Sequence, residues 1–446
     1  MTRRIVAAAV LFAWCAGAHP QFAAAQERIT LEDAQARAVE ASHRLAEARA
    51  RAGAAESAVA VRAAADNPML ALQGGYTRTN HVTEFSVPGS TGVPRVLYPD
   101  VPNNLRSRID LQWPIYTGGR TNALERAARA EAAASTADVA AAQADLRLDV
   151  ARAFWSLVTA RATVTVLERS LERAGANVND VRARQQQGLI PPNELASAQA
   201  QESRQRMLLI EAQNQSELSA ADLGRLLGLE PGAPVPEPAA ALEAGGADPA
   251  AAAGTAYGSA VAQARAARQD RRAIELRIDA AVEQQAAAGA GMKPTIALAG
   301  GYDYARPNPR IFPRADRWEE SWDAGVNVSW PLWDGGRTKA ESAQAAQVTE
   351  AARQRLREFD SLVALEVRQR QLDISSSAAA IAASEDAVRA ATEARRVLTE
   401  RYNAGVATQT EVLDADIALL QAELDRTRAL ANLRLAEARL ARATGR

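Results

Sequence analysis

Two periodicities divide this 446-residue chain. In "NLRSRIDLQWP" the apolar residues Leu105, Ile109, Leu111 and Trp113 alternate with Arg106, Arg108, Asp110 and Gln112, the period of two that marks a β-strand. In "SWDAGVNVSWPL" the apolar set is Trp322, Ala324, Val326, Val328 and Trp330, set against Asp323, Asn327 and Ser329. Two further segments, opening "PMLALQGGY" and "PTIALAGGY", bring the predicted strands to four, at 68–79, 104–115, 294–305 and 320–332. From about residue 119 to 187 the pattern changes to Ala, Leu, Arg, Glu and Gln, with no proline and one internal glycine, Gly175. That is roughly 100 Å of helix at 1.5 Å per residue. Val150, Leu157, Val164, Leu171 and Val178 recur every seventh position, a coiled-coil seam that no isolated helix can bury. A second long helix carries Val367, Ile374, Ile381 and Val388 at the same spacing.

The elements occur twice. "LQWPIYTGGRTNALERA" (111–127) returns as "VSWPLWDGGRTKAESAQ" (328–344), and the offset of 217 that takes Trp113 to Trp330 also takes Gly119 to Gly336, Gly188 to Gly405 and Glu194 to Glu411. Upstream the offset is 226, so the first copy holds nine more residues, which fall in the Pro/Gly-rich loop "HVTEFSVPGSTGVPRVLYPDVPNN". The sequence therefore predicts two structural repeats, at 26–229 and 255–446, each with two strands and long coiled-coil helices. The Ala/Pro/Gly-rich connector 230–254 joins them.

Each long helix turns back at a tip, "RQQQGLIPPNELASAQ" and "RYNAGVATQTEVLDADIALLQAE". Gly188 and Gly405 suit helix C-caps, Pro191 and Pro192 break the chain, and Thr410 or Thr408 suits an N-cap ahead of Glu411. Glu194, Glu411 and Asp414 stand on the first returning turns. They would form acidic rings if the hairpins closed into a tube, and they equally suit the positive ends of the helix dipoles. Gly118, Gly119, Gly335 and Gly336 suit tight strand-to-helix turns, and Pro114 and Pro331 are expected to stop the strands.

Composition removes most alternatives. The first 25 residues, "MTRRIVAAAVLFAWCAGAHPQFAAA", read as a secretory signal with an A-x-A-like end. Cys15 lies inside it, where lipid attachment is a lesser alternative, and the remaining chain has no cysteine and only His43 and His81. A net charge of -1 leaves no basic footprint for nucleic acid. No nucleotide cradle, metal-ligand cluster or nucleophile constellation is legible, so neither a cofactor nor an enzyme is expected. No run of 18 or more apolar residues follows the leader, so any membrane crossing would use strands. The strand alternation suits an ordinary half-buried sheet as well as a membrane wall. Closed membrane barrels need about eight strands or more, so four could serve only if chains share a barrel, two giving eight and three giving twelve. Trp113 and Trp330 stand at strand ends, where aromatic girdles sit.

The two Trp-Pro strand exits into Gly-Gly-Arg and the two tips, in this order and spacing, resemble the TolC-like outer-membrane efflux protein family over about residues 30–446. The resemblance implies a mainly α fold with transmembrane β: a homotrimer sharing a 12-stranded barrel in the outer membrane of a Gram-negative bacterium, continued by an α-helical barrel through the periplasm. It implies a conduit for efflux or type I secretion, contacting outer-membrane lipid, a periplasmic adaptor protein and an inner-membrane pump. Tyr402 and Glu194 match positions that latch the periplasmic aperture, and Glu411 and Asp414 match acidic rings that constrict it. Gly188, Leu189, Gly405 and Val406 match loops that meet the adaptor. One position departs: Ala407 stands where a latch arginine is expected, which implies a leakier or differently held gate. A periplasmic adaptor or structural coiled-coil protein without a pore is the rival reading. An adaptor would need a lipoyl-like β-domain, and a coiled-coil protein would need no strands ending in Trp-Pro.

Overall fold

A computed structural model describes residues 28–89, 92–242 and 256–446. The expected leader, with Cys15 and the cut after Ala25, lies outside the described residues, as does the second half of the connector. In chain order the elements are β1 (Arg28–Ile29), α1 (Leu31–Ala41), α2 (His43–Ala63), β2 (Met69–Arg78), β3 (Phe85–Val87), β4 (Arg95–Tyr98), β5 (Asn103–Tyr116), α3 (Arg120–Gln186) and α4 (Pro192–Leu226). After β6 (Glu237–Pro238) come α5 (Tyr257–Ala267), α6 (Gln269–Gly289), β7 (Thr295–Arg306), β8 (Glu319–Ser329), α7 (Arg337–Asn403) and α8 (Gln409–Ala443).

The repeat is reproduced element by element. α3 and α7 both have 67 residues, α4 and α8 both have 35, α2 and α6 both have 21, and α1 and α5 both have 11. The loop holding the nine extra residues is more ordered than expected, because β3 and β4 pair within it as an antiparallel hairpin. The connector is not wholly irregular either: β6 pairs in parallel with β1, Ile29 opposite Pro238.

The four long strands form one antiparallel sheet in the order β2-β5-β7-β8. Its register places Leu72, Ile109, Tyr302 and Trp322 in one row across the sheet, and Gln73, Arg108, Asp303 and Ser321 in the next. One face is therefore apolar and the other polar, as a period of two requires. Leu72 is 73% exposed and Trp322 74%. One expectation fails: Pro114 does not end β5, which runs on to Tyr116 with a register shift between Pro114 and Tyr116. β2 has already ended opposite Gln112, so at Pro114 the strand has a neighbour on one side only, where a missing N–H is tolerated. Pro331 does follow the end of β8 at Ser329.

Each 67-residue helix is flanked by two shorter pieces, α2 with α1 and then α4 along α3, and α6 with α5 and then α8 along α7. α3 also packs on α6 and α8, which joins the repeats. Most of the expected seam is buried, with Val150, Leu157, Val178, Val367, Ile374 and Ile381 inside, whereas Val164, Leu171 and Val388 are half-buried. One stretch of α3 is long and apolar enough by composition to cross a membrane, and 44% of it is buried within the chain. Charged side chains interrupt every 18-residue stretch of α3, so it passes without the unbroken apolar run sought in the sequence.

The largest cluster of buried apolar residues among those described lies midway along the helices, where Ile29, Ala34, Phe154, Leu157 and Leu223 converge. Truncating Phe154 there would cost about 3–5 kcal/mol. At this level α4 and α8 each end in a left-handed glycine, Gly228 and Gly445. A Cβ on Gly228 would meet the Ala41 Cβ at 2.5 Å, and one on Gly445 would meet the Ala267 Cβ at 2.8 Å. These two glycines let the end of a lower helix abut the end of an upper one, at the same place in both repeats.

Candidate functional site

The tips bring the predicted residues of the two repeats together. α3 closes through a Schellman turn, in which the Gly188 amide donates to the Gln185 carbonyl at 2.9 Å and the Leu189 amide to the Arg184 carbonyl at 3.0 Å. α7 closes in the same way, from Gly405 to Tyr402 at 3.0 Å and from Val406 to Arg401 at 2.9 Å. Gly188 has φ +73 and Gly405 φ +75, the left-handed backbone this turn needs. Beyond each glycine an apolar side chain stands in the open, Leu189 at 68% exposure and Val406 at 63%.

Tyr402, at the end of α7, is buried against the neighbouring hairpin. Its hydroxyl donates to a Glu194 carboxylate oxygen at 3.4 Å, a long bond between the two repeats. The Arg184 guanidinium lies 4.6 Å from the centre of the same ring and donates to the Asn403 side chain at 2.5 Å. Burial and the Glu194 charge push the Tyr402 hydroxyl above its ordinary pKa, although Arg184 pulls the other way. Arg184 escaped the sequence reading because nothing in a run of charged helix residues marks the one that faces a tyrosine in the other repeat.

The returning helices begin differently. Thr408, not Thr410, caps α8 in a capping box: the Glu411 amide donates to the Thr408 hydroxyl at 3.3 Å, and the Thr408 amide donates to the Glu411 carboxylate at 2.7 Å. The backbone amide and hydroxyl of Thr408 hold the Glu411 carboxyl below its ordinary pKa. Glu411 is thus ionised and occupied with its own helix end, whereas Asp414, one turn on, is exposed. α4 starts at Pro192, with Glu194 in its first turn and no side-chain cap. Farther from the tips Arg173 pairs with Glu423 at 2.9 Å, a second tie between the hairpins.

At the other end, the glycine pairs Gly118–Gly119 and Gly335–Gly336 all have positive φ and launch α3 and α7. Asp334 secures the second launch, accepting from the Gly336 amide at 2.9 Å and the Thr338 amide at 2.8 Å. The predicted girdle residues are tied to these junctions. The Trp113 indole donates to the Asp66 carbonyl at 3.0 Å and the Trp330 indole to the Met292 carbonyl at 3.2 Å, equivalent bonds in the two repeats. Both rings remain partly exposed, and Leu332 and Trp333 beside them are more so, at 77% and 85%. Those two were missed because they lie past the alternating pattern.

On the polar face of the sheet Arg106 and Arg108 converge on Asp303, which is 2% exposed, and Arg108 also reaches Asp110 at 2.6 Å and Asp323 at 3.0 Å. Gly301 makes room for this: a Cβ there would collide with the Arg108 guanidinium. Among the described residues no group of three or more His, Cys, Asp or Glu side chains gathers as a metal site.

The profile of the family described as outer membrane efflux protein matches residues 34–229 and 260–446. Outer membrane protein TolC of Vibrio cholerae is 31% identical over 138 residues, 31% of this chain and 32% of that protein. Protein CyaE of Bordetella pertussis is 25% identical over 269 residues, 60% of this chain and 52% of that protein. The matched stretches thus span about a third and about half of these two relatives. The crystal structure of the outer membrane protein VceC of Vibrio cholerae superposes with a TM-score of 0.76 at 22% identity, over 93% of this chain and 96% of that one. That likeness extends the shared fold over nearly the whole length.

Proposed function

The chain belongs to the outer membrane efflux protein family, and on that premise we propose that it is the outer-membrane channel of a multi-part efflux or type I secretion system. The observation that carries this reading is the four-stranded sheet. It exposes an apolar face, and β2 and β8 have no partner on their outer sides among the described residues. In hydrocarbon an unpaired strand edge leaves backbone groups without hydrogen bonds, so four strands must be completed by others. Three chains give twelve strands and a closed wall, with Leu72 and Val326 toward lipid and Arg106, Arg108 and Asp303 toward the lumen. Repeats 26–229 and 255–446, joined by the connector 230–254, would each carry one pass from wall to tube.

The helical hairpins continue that wall as a tube of roughly 100 Å into the periplasm. At its entrance Glu194 and Tyr402 hold the hairpins together and Arg184 closes on the same ring, while Asp414 and Glu411 would ring the aperture with negative charge. Leu189 and Val406, beside Gly188 and Gly405, present apolar knobs suited to a periplasmic adaptor, which would connect the tube to an inner-membrane pump. The arginine expected in place of Ala407 is absent, and Arg184 brings a cation to Tyr402 from the other repeat. Trp113, Trp330 and Trp333 would stand at the periplasmic interface of the outer membrane.

The test is conductance of the purified protein in planar bilayers. Native channels should be small and mostly shut. Glu194→Ala with Tyr402→Ala should raise the mean conductance about tenfold by freeing the entrance. Absence of any channel activity in either protein, from preparations that retain the helical fold, would refute the reading.

A further inference from the structure

Three helices that run side by side midway along the molecule, α3, α8 and α7, each carry an arginine on the same side. Phe154 of α3 packs with Ile29 and Ala34, Glu437 of α8 lines a crevice with Leu31 and Gln35 at α1, and Arg368 of α7 lies 5.9 Å over the Tyr257 ring of α5. Two residues turn a helix by about 200°. Arg152, Arg439 and Arg370, each two residues from one of these, therefore stand on the face turned away from α1 and α5. Carboxylates do not match them in number. Arg152 and Arg44 share Asp149, at 3.2 and 3.1 Å, and Arg370 pairs with Asp373 at 3.0 Å while its Nε is buried without a partner. Arg439 makes no hydrogen bond or ion pair among the described residues. Burial and repulsion by Arg370 and Arg152 outweigh the attraction of Asp373 and push Arg439 below its ordinary pKa. Beside Arg152 a crevice of about 310 Å³ opens across α3, between α4 and α8. Trp155, Ala160 and Leu435 give it apolar walls, Thr163, Gln215 and Asn432 give it polar groups, and no carboxylate lines it.

We propose that Arg439, Arg152 and Arg370, with the adjoining crevice, bind organic anions through their carboxylates on the inner wall of the tube, one site per chain, as a station for anionic cargo midway to the exterior. This rests on the tube reading above, in which α1 and α5 form an outer layer and the opposite face lines the lumen. A carboxylate supplies the counter-charge that Arg439 lacks. Arg152 belongs to both the cluster and the crevice, so a carboxylate held by the arginines carries its apolar body to the crevice, which has the size and the mixed lining of a small-molecule site. At the tips Glu194, Glu411 and Asp414 put negative charge at the entrance, so the lumen changes sign along its length.

The probe is benzene-1,3,5-tricarboxylate, a flat polyanion too soluble to enter micelles, titrated calorimetrically into the purified full chain in mild detergent at low salt. One molecule should bind per chain, and Arg439→Gln should weaken binding about tenfold whereas Arg439→Lys, which keeps the charge, should weaken it less than about threefold. Asn432→Trp, at an exposed position lining the crevice, should fill it and weaken binding as well. Affinity unchanged by Arg439→Gln or by Asn432→Trp, or matched by sulfate, which has the charge without the body, would overturn the site. Removing an unpaired charge repelled by two neighbours should not lower the thermal midpoint; a lower midpoint for Arg439→Gln would make the arginine a structural one and also overturn the site. The luminal placement is read separately, in the Glu194→Ala, Tyr402→Ala channel in planar bilayers. Adding Arg439→Gln there should shift the reversal potential in a potassium chloride gradient toward cations. If the parent channel conducts nothing, the tube reading itself fails, whereas a conducting channel with an unmoved reversal potential overturns the luminal site alone.

Discussion

Single residues matter most where the two repeats obey the same constraint. Gly228 and Gly445 are left-handed and closed in by Ala41 and Ala267. Gly228→Ala must strain the backbone and push a methyl group into Ala41, so it should destabilise the protein by roughly 1–3 kcal/mol. A lowered thermal midpoint, with Gly53→Ala on the open face of α2 as a control that does not lower it, would bear this out. The glycines after Trp-Pro announce themselves in the sequence by their doubling. Gly228 does not, because nothing local tells a helix C-cap glycine from one pressed against another helix.

At the scale of elements, the junctions between stacked helices carry the polar anchoring. Arg268, 8% exposed at the start of α6, donates to Asp270 at 2.7 Å and to Glu366 of α7 at 2.5 Å, and Arg442 of α8 reaches Asp270 at 3.3 Å. Burial pushes the Asp270 carboxyl up, but the hydrogen bonds and charge of Arg268 and the charge of Arg442 outweigh it and hold the carboxyl below its ordinary 3.8. A carboxyl lowered by folding contributes stability above its ordinary value and loses that contribution as pH falls through the lowered one. Thermal midpoints should therefore drop below about pH 4, and Asp270→Asn should both lower the neutral midpoint and flatten this acid limb. In the first repeat the equivalent position is Ser42, a plain N-cap that accepts from the Leu45 amide at 3.2 Å, and the junction there is held instead by Arg44 paired with Asp149 at 3.1 Å. The tips offer another element-level test. Leu189→Asp with Val406→Asp removes two exposed apolar knobs without touching a buried contact. Export in cells should fall by an order of magnitude or more while the purified protein keeps its oligomeric state and conductance; unimpaired export would remove the tips from the adaptor surface.

For the whole molecule, the alternation of the sheet acquires meaning from what surrounds it. Val326→Lys on the apolar face should cost assembly about 2–4 kcal/mol if that face meets lipid, and Gln112→Lys on the opposite face should be tolerated. Heat-resistant oligomer on gels from isolated outer membranes is the readout, and equal yields from the two variants would argue against a lipid-facing wall. The native mass in mild detergent should correspond to three chains.

Periodicity is a local property, so the four long strands, the long helices, their seams and their doubling were readable along the chain, whereas the short strands β1, β3, β4 and β6 were not. The offsets of 217 and 226 reappear in helices of matching length. The polar and apolar faces were readable too, since neighbours two apart in a strand share a side whatever lies around them. Pairings between distant positions were not. Arg184 on Tyr402, Arg268 among three helices, and β3 with β4 all join groups whose separation in sequence carries no periodic mark. They exist because two hairpins and four strands, each formed by local rules, come to rest beside one another when buried apolar seams force them together.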